Sequence, residues 1–302
     1  MVPTYWEHSL ATGTDNAWLA IDVGNSRIKV GLFTTSLDEG AASREEHSLA
    51  AQVDASGLPA CLSFHSVLLD ESVRWDEICE DRKAAEGFRC VIVGSNQQGV
   101  DRIVDAWPGW LSRPVVIRGP ESFSIGIQVE EPRRVGLDRL LNAVAANAVR
   151  DSREKAIIVD CGTATTVDLV SASGSFCGGA ILPGFTLCAR ALNQYTEVLP
   201  LISMNELFDL PPSEDSHPAL GSNTQTAIMS GVFWGQIGAV RELIARLGQE
   251  QSVGTGDSDG TTPTVLLTGG GSRLLVPYFA DAIHCPYLPL QGLVLAAASN
   301  QC

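Results

Sequence analysis

Two short runs in this chain place an aspartate at the end of an apolar stretch and a glycine two residues later. Hydroxyl or amide side chains follow just beyond. The first run is Asp22-Val23-Gly24-Asn25-Ser26, continuing through Arg27 and Ile28 to Lys29. The second is Asp160-Cys161-Gly162-Thr163-Ala164-Thr165-Thr166. Glycine lets backbone amides turn toward phosphate oxygens, and Asn and Ser add neutral donors. An aspartate repels phosphate, so the chemistry open to Asp22 is to hold Mg2+ through water. The threonines of the second run line a phosphate path or, with Asp160, hold an ion. Plainer readings stand beside both. In the first run Asp and Asn serve a hairpin turn, and in the second the threonines are strand formers.

Two further runs carry candidate chemistry. Gly136-Leu137-Asp138-Arg139 opens an amphipathic segment. A carboxylate there either caps the helix or acts as a general base, taking a hydroxyl proton late as the oxygen bonds to phosphorus. Arg139 beside it suits an anionic group. Thr268-Gly269-Gly270-Gly271-Ser272 follows an apolar run. Its bare backbone either accepts a flat ring such as adenine or simply turns the chain. Gly178-Gly179-Ala180-Ile181-Leu182-Pro183-Gly184 is equally open.

These residues need rigid elements to hold them. Leu19-Ala20-Ile21-Asp22 and Ile157-Ile158-Val159-Asp160 each read as a buried strand running into a glycine turn and a return strand. Overlaid on their aspartates, the two copies match, and a facing pair of such hairpins makes a nucleotide cleft. Further strands are predicted at 67–69, 89–93, 114–117 and 265–267, and one more reaches 180–181 before Pro183. Helices are predicted at 73–86, 98–106, 137–150, 186–195, 224–248 and 291–299. Alternating short strands and helices give an α/β architecture. Residues 1–16 read as a polar tail and 251–263 as a surface loop, while 36–52 receive no assignment.

The 302 residues suffice for two domains with full cores. A net charge of −15, with no run of five Lys or Arg, argues against a nucleic-acid surface. Eight cysteines without a C-x-x-C pair fit a reducing compartment better than a disulfide scaffold or zinc site. No basic start with a long apolar stretch opens the chain, and no apolar run is long enough to span a bilayer, so a cytoplasmic protein without membrane contact is expected. The five histidines form no H-x-x-H pattern, and neither a P-loop nor a Gly-x-Ser-x-Gly elbow occurs.

Taken in order, the runs at 22–29, 136–139 (with Pro132), 160–166 and 178–184 resemble the type III pantothenate kinase family, as do Gly221-Ser222-Asn223-Thr224 with Ser230-Gly231 and Thr268-Gly269-Gly270. That family lies within the actin/hexokinase/Hsp70-like phosphotransferases. The resemblance spans about residues 18–300. It implies a duplicated ribonuclease-H-like, two-domain fold with a central nucleotide cleft. The domains would cover 17–119 and 120–302, after the tail at 1–16. It implies ATP-dependent phosphorylation of pantothenate to 4'-phosphopantothenate, the first step toward coenzyme A.

By position, the resemblance assigns ATP phosphates to Asp22, Val23, Gly24, Asn25, Ser26, Arg27, Ile28 and Lys29, and an ATP contact to Thr163. Asp138 becomes the catalytic base. Gly136, Leu137, Asp138, Arg139 and Thr224 contact pantothenate. Asp160 holds a monovalent cation, K+ or NH4+, beside the Mg2+ that accompanies ATP. A homodimer is implied. The chain departs from the family at Val129, where a tyrosine usually lines the pantothenate site, and at Gly94-Ser95-Asn96-Gln97-Gln98, where Ser-Val-Val-Pro is common. A kinase for another small alcohol and a non-catalytic regulator on the same scaffold are the competing readings.

Overall fold

The structure, a computed structural model, describes residues 17–35, 57–79, 87–204, 217–250 and 262–299. The expectations for 1–16, 36–52 and the loop up to 261 lie outside the described residues. The chain forms two compact units, each built on a five-stranded mixed sheet.

The first sheet contains β1 (Ala17–Val23), β2 (Arg27–Thr34), β3 (Ala60–Leu68), β4 (Arg89–Gly94) and β5 (Val115–Ile117), in the order β3-β2-β1-β4-β5. Every residue of β1 is buried, as its nearly continuous apolar text requires of a central strand. It pairs antiparallel with β2 and parallel with β4. Leu19, Ile21, Ile28, Val30, Ile92 and Val100 share one core. Among the described residues two α-helices lie on this side of the chain, the short α1 (Trp75–Ile78) and α2 (Gln97–Asp105). Asn96 caps α2 by accepting the Gly99 N–H at 2.8 Å, which explains Gly94-Ser95-Asn96 as a strand-to-helix turn. The cap also fixes where the helix begins.

The second sheet contains β6 (Ala156–Cys161), β7 (Ala164–Val170), β8 (Phe176–Pro183), β9 (Thr264–Thr268) and β10 (Ile283–His284). Its order, β10-β9-β6-β7-β8, and its strand senses repeat the first sheet, with β6 in the place of β1. The duplicated fold is therefore real at the level of topology. Helices α4 (Phe185–Gln194) and α5 (Thr224–Gln249) cover this sheet. Ala189, Ile228, Val232, Phe233 and Val240 pack there with Ile157, Val159, Val167 and Leu267.

Between the sheets in sequence lies α3 (Leu137–Val149), and α6 (Leu288–Ser299) closes the described chain. The sequence draws a single boundary between 119 and 120, whereas the compact units interleave. Arg133–Ala148 and Pro289–Cys302 group with Met1–Ser124, and Ile125–Pro132 groups with Val149–Leu288. The physical reason is local. A Cβ on Gly31 of β2 would lie 3.2 Å from Leu290, and one on Gly292 would lie 2.0 Å from the Leu141 carbonyl oxygen. So α6 packs against the first sheet and admits α3 at backbone distance.

Most expected elements occur within a few residues of their predicted ends. The strand expected to reach 180–181 runs from Phe176 to Pro183. Two differ. The strand expected at 67–69 runs from Ala60 to Leu68, an edge strand whose exposure varies along its length. The helix expected at 73–86 is described only over Trp75–Ile78. Among the described residues no helix is long and apolar enough to cross a membrane.

Candidate functional site

In the first unit the hairpin between β1 and β2 places Asp22 opposite Lys29. Opposite residues in a sheet project to the same face, so the direction of Lys29, undetermined in the sequence, is fixed toward the acid. Its Nζ stands 3.4 Å from Asp22 Oδ2. Asp22 is only 6% exposed. Burial raises its carboxyl above the ordinary 3.8, Lys29 opposes that rise, and Asp138 adds to it. The two acids of the first unit thus feel each other.

The turn itself is closed by the Gly24 N–H, which donates to the Arg27 carbonyl at 2.9 Å. A Cβ on Gly24 would lie 3.2 Å from that oxygen. The Gly24 amide therefore closes the turn. Asn25, Ser26 and Arg27 stand exposed at the tip, with Val23 and Ile28 buried behind them.

Asp138 lies exposed in the first turn of α3. Its Oδ1 accepts the Arg139 N–H at 2.9 Å, and a Cβ on Gly136 would come within 2.5 Å of the same oxygen. Glycine at 136 leaves room for the carboxylate, and the helix backbone orients it. Leu137 and Arg139 are half-buried beside it. Residues 22–29 and 136–139, singled out separately in the sequence, belong to one unit.

In the second unit β6 sets Asp160 between Thr166 of β7 and Thr268 of β9. The Oγ1 atoms of both threonines are buried without a hydrogen-bond partner. A buried hydroxyl left unpaired costs about 1–3 kcal/mol, and a cation beside the carboxylate would satisfy both. A carboxylate and two neutral oxygens form a hard, singly charged donor set. Among the described residues no group of three or more His, Cys, Asp or Glu is placed to hold a metal.

The second turn is braced on two sides. Gly184, at the start of α4, donates its N–H to the Thr163 carbonyl at 3.1 Å. Thr165 donates to Gln236 Oε1 at 3.0 Å, tying the return strand to α5. Gly269 adopts φ +86°, and a Cβ there would lie 2.4 Å from Asp160 Oδ1. The Gly271 N–H donates to the Cys161 carbonyl at 2.8 Å. Gly270 has nothing within 4 Å of where its Cβ would be and is exposed.

Thr163 is exposed at the turn and Thr224 at the first turn of α5. A capping box between Asn223 and Thr226 fixes that helix end. Both threonines share the second unit with Asp160. Val129 is half-buried, and its Cγ1 lies 3.4 Å from where a Cβ on Gly178 would sit. Sequence reasoning singled out neither Thr268 as a neighbour of Asp160 nor Gln236 as a brace. The signal for Thr268 was its place just before the glycines. Gln236 had none, because it faces inward from the middle of a long helix.

The family model described as type III pantothenate kinase matches residues 18–246. A type III pantothenate kinase of Dehalococcoides mccartyi (strain CBDB1) is 39% identical over 279 residues, covering 91% of this chain and 93% of the relative. Another, from Gluconobacter oxydans (strain 621H), is 36% identical over 192 residues, 62% of this chain and 63% of the relative. Among solved structures, a conserved putative Baf family transcriptional activator from Campylobacter jejuni superposes with a TM-score of 0.52 at 17% identity, covering 94% of this chain and 98% of that one. At that identity the likeness concerns the fold alone.

Proposed function

The chain belongs to the type III pantothenate kinase family, and from that membership we propose that it phosphorylates pantothenate with ATP through residues 22–29 and Asp138 of its first unit. The product is 4'-phosphopantothenate, at the entry to coenzyme A biosynthesis. One observation carries the assignment of roles. Asp22 is buried against Lys29, while Asp138 is exposed at the start of a helix in the same unit. Two carboxylates in contrasting environments suit two different tasks.

Asp138 accepts the proton of the pantothenate primary hydroxyl as its oxygen bonds to the γ-phosphorus. The bond from that phosphorus to the β,γ-bridging oxygen breaks, and its electron pair leaves with ADP. Asp138 acts by orienting the hydroxyl and taking the proton late. Asn25, Ser26 and Arg27 meet the phosphates at the exposed tip, and Lys29 adds positive charge behind them. Arg139, beside Asp138 in the first unit, suits an anionic group of pantothenate.

Mg2+ enters with ATP and screens the phosphate charge when bound. Asp22 fits an outer role of ordering its waters, since its buried carboxylate faces Lys29 and, among the described residues, no group of three or more His, Cys, Asp or Glu is placed to hold a metal directly. Asp160, Thr166 and Thr268 fit a monovalent cation, K+ or NH4+, because their donors are one carboxylate and two unpaired hydroxyls. Such an ion, when bound, supplies a fixed positive charge for the nucleotide.

The protein acts in the cytoplasm as a homodimer. Ile181, Tyr195, Val198, Leu201 and Leu220 of the second unit are each more than 60% exposed. Exposed large apolar side chains of this kind support a covered face on the second unit. The direct test is ADP release from ATP with pantothenate, with and without K+. Release that does not depend on pantothenate overturns the substrate assignment.

A further inference from the structure

Beyond the turn that meets Asp160 lies a pair of polar side chains to which the sequence assigned no role. Ser272 is 1% exposed, and His284 is the last residue of the short edge strand β10, opposite Leu267. The Ser272 hydroxyl donates to the Gly269 carbonyl at 2.7 Å, and the Ser272 backbone N–H donates to the same oxygen at 3.1 Å. His284 Nε2 lies 2.9 Å from that hydroxyl. A serine hydroxyl has one hydrogen, and here it is spent on Gly269. The imidazole must therefore carry its hydrogen on Nε2 and donate. A single chain of donors runs from β10 through Ser272 to the Gly269 carbonyl.

What that chain fixes is a peptide plane. Gly269 and Gly270 are joined in a turn where neither residue has a Cβ to limit rotation. Left to itself, such a peptide turns over easily. Gly269 is also the residue whose Cα hydrogens lie against Asp160 Oδ1, since even a Cβ there would fall 2.4 Å from that oxygen. Thr268, whose unpaired hydroxyl stands beside Asp160, is its immediate neighbour. A turned peptide at 269–270 would move the wall of the Asp160 site while leaving the sheet intact.

We propose that Ser272 and His284 are positioning residues that pin the 269–270 peptide and so shape the monovalent-cation site at Asp160. Neither touches the ion, and both act through Gly269. The inference rests on the reading of Asp160, Thr166 and Thr268 as that site. It predicts a graded effect: the variants keep the fold and the site but bind the cation more weakly.

The test follows the full-length protein by melting temperature as KCl replaces choline chloride at constant ionic strength, alongside the K+ dependence of ADP release. Ser272→Ala and His284→Leu should each raise the K+ concentration for half-maximal stabilisation by about five- to tenfold, the scale of one lost neutral hydrogen bond. The KM for pantothenate should stay within about twofold, and the double variant should match the single ones because the two act in series. His284→Gln, which keeps a side-chain N–H, should restore most of the K+ response. Unchanged K+ midpoints in Ser272→Ala and His284→Leu overturn the inference and leave the cation site standing, provided Asp160→Asn has lost its response. Should the parent protein not respond to K+, or Asp160→Asn respond as it does, the cation reading itself fails and the positioning role falls with it.

Discussion

Lys29 stands opposite Asp22 across the first hairpin, its ammonium 3.4 Å from the carboxylate, whereas the corresponding place beside Asp160 is held by Thr166. The second hairpin is tighter by one residue, so the return strand presents a hydroxyl where the first presents a cation. The parallel neighbours differ too, Val93 beside Asp22 and Thr268 beside Asp160. Duplication gave both units the same strand order, and substitution on the flanking strands separated their electrostatics. Asp22 has a lysine across the hairpin, whereas Asp160 has threonines on both flanking strands.

That difference makes Asp22 a site where function opposes stability. Burial holds its carboxyl above the ordinary 3.8, so the folded protein binds that proton more tightly than the unfolded chain. Stability from this group therefore falls as pH rises from 3.8 through the folded value. Asp22→Asn should flatten that dependence and leave the melting temperature at neutral pH unchanged or higher. The same variant should lower kcat/KM for ATP by about 10- to 100-fold, as loss of an outer metal partner does. A lower melting temperature with full activity would make Asp22 a structural partner of Lys29 and nothing more.

Asp138 should behave in the opposite way. It is exposed, and the contacts that orient it run to its own helix end. Asp138→Asn keeps the size and still accepts the Arg139 N–H, so melting temperature and both KM values should change little. Loss of the proton acceptor should cut kcat by about 10²- to 10⁴-fold. Steady-state ADP release decides it, and a decrease smaller than tenfold removes Asp138 from the role of base.

Neighbouring glycines of the 269–271 turn should separate cleanly on substitution. Gly269 has φ +86° and Asp160 Oδ1 within 2.4 Å of its missing Cβ. Gly269→Ala should cost at least about 1–2 kcal/mol from backbone conformation alone, before any displacement of Asp160. Gly270→Ala meets nothing within 4 Å and should leave stability alone while raising the KM for ATP. Urea unfolding and ATP saturation curves report the two effects, and an unchanged KM for Gly270→Ala would separate adenine from this face.

The strands around both acids were legible because central strands are apolar on both faces and end in glycine turns. Asp22 and Asp160 could be overlaid from text alone for that reason. What could not be read was which residues stand across from them. Pairing Lys29 with Asp22 or Thr268 with Asp160 depends on register and on a crossover through α4 and α5, and neither leaves a local trace. The membership of α3 in the first unit was hidden by the same cause, since the glycine that admits it, Gly292, lies far along the chain. Ala60–Phe64 escaped because an edge strand with Ser63 and His65 in it lacks the apolar run that marks a buried one.

Val129 offers a test of substrate choice that leaves the phosphoryl-transfer residues untouched. It is half-buried beside Gly178, whose φ of +90° keeps a side chain away from its Cγ1. An isopropyl group there presents no hydrogen-bonding atom, where a tyrosine would bring a hydroxyl. Val129→Tyr should lower the KM for pantothenate by about two- to tenfold, the worth of one net hydrogen bond, with kcat and the KM for ATP unchanged. Rates with a panel of related primary alcohols should move less than the rate with pantothenate. If the substitution instead raises the pantothenate KM while another alcohol turns over faster in the parent protein, Val129 belongs to a pocket shaped for that alcohol, and pantothenate is the lesser substrate.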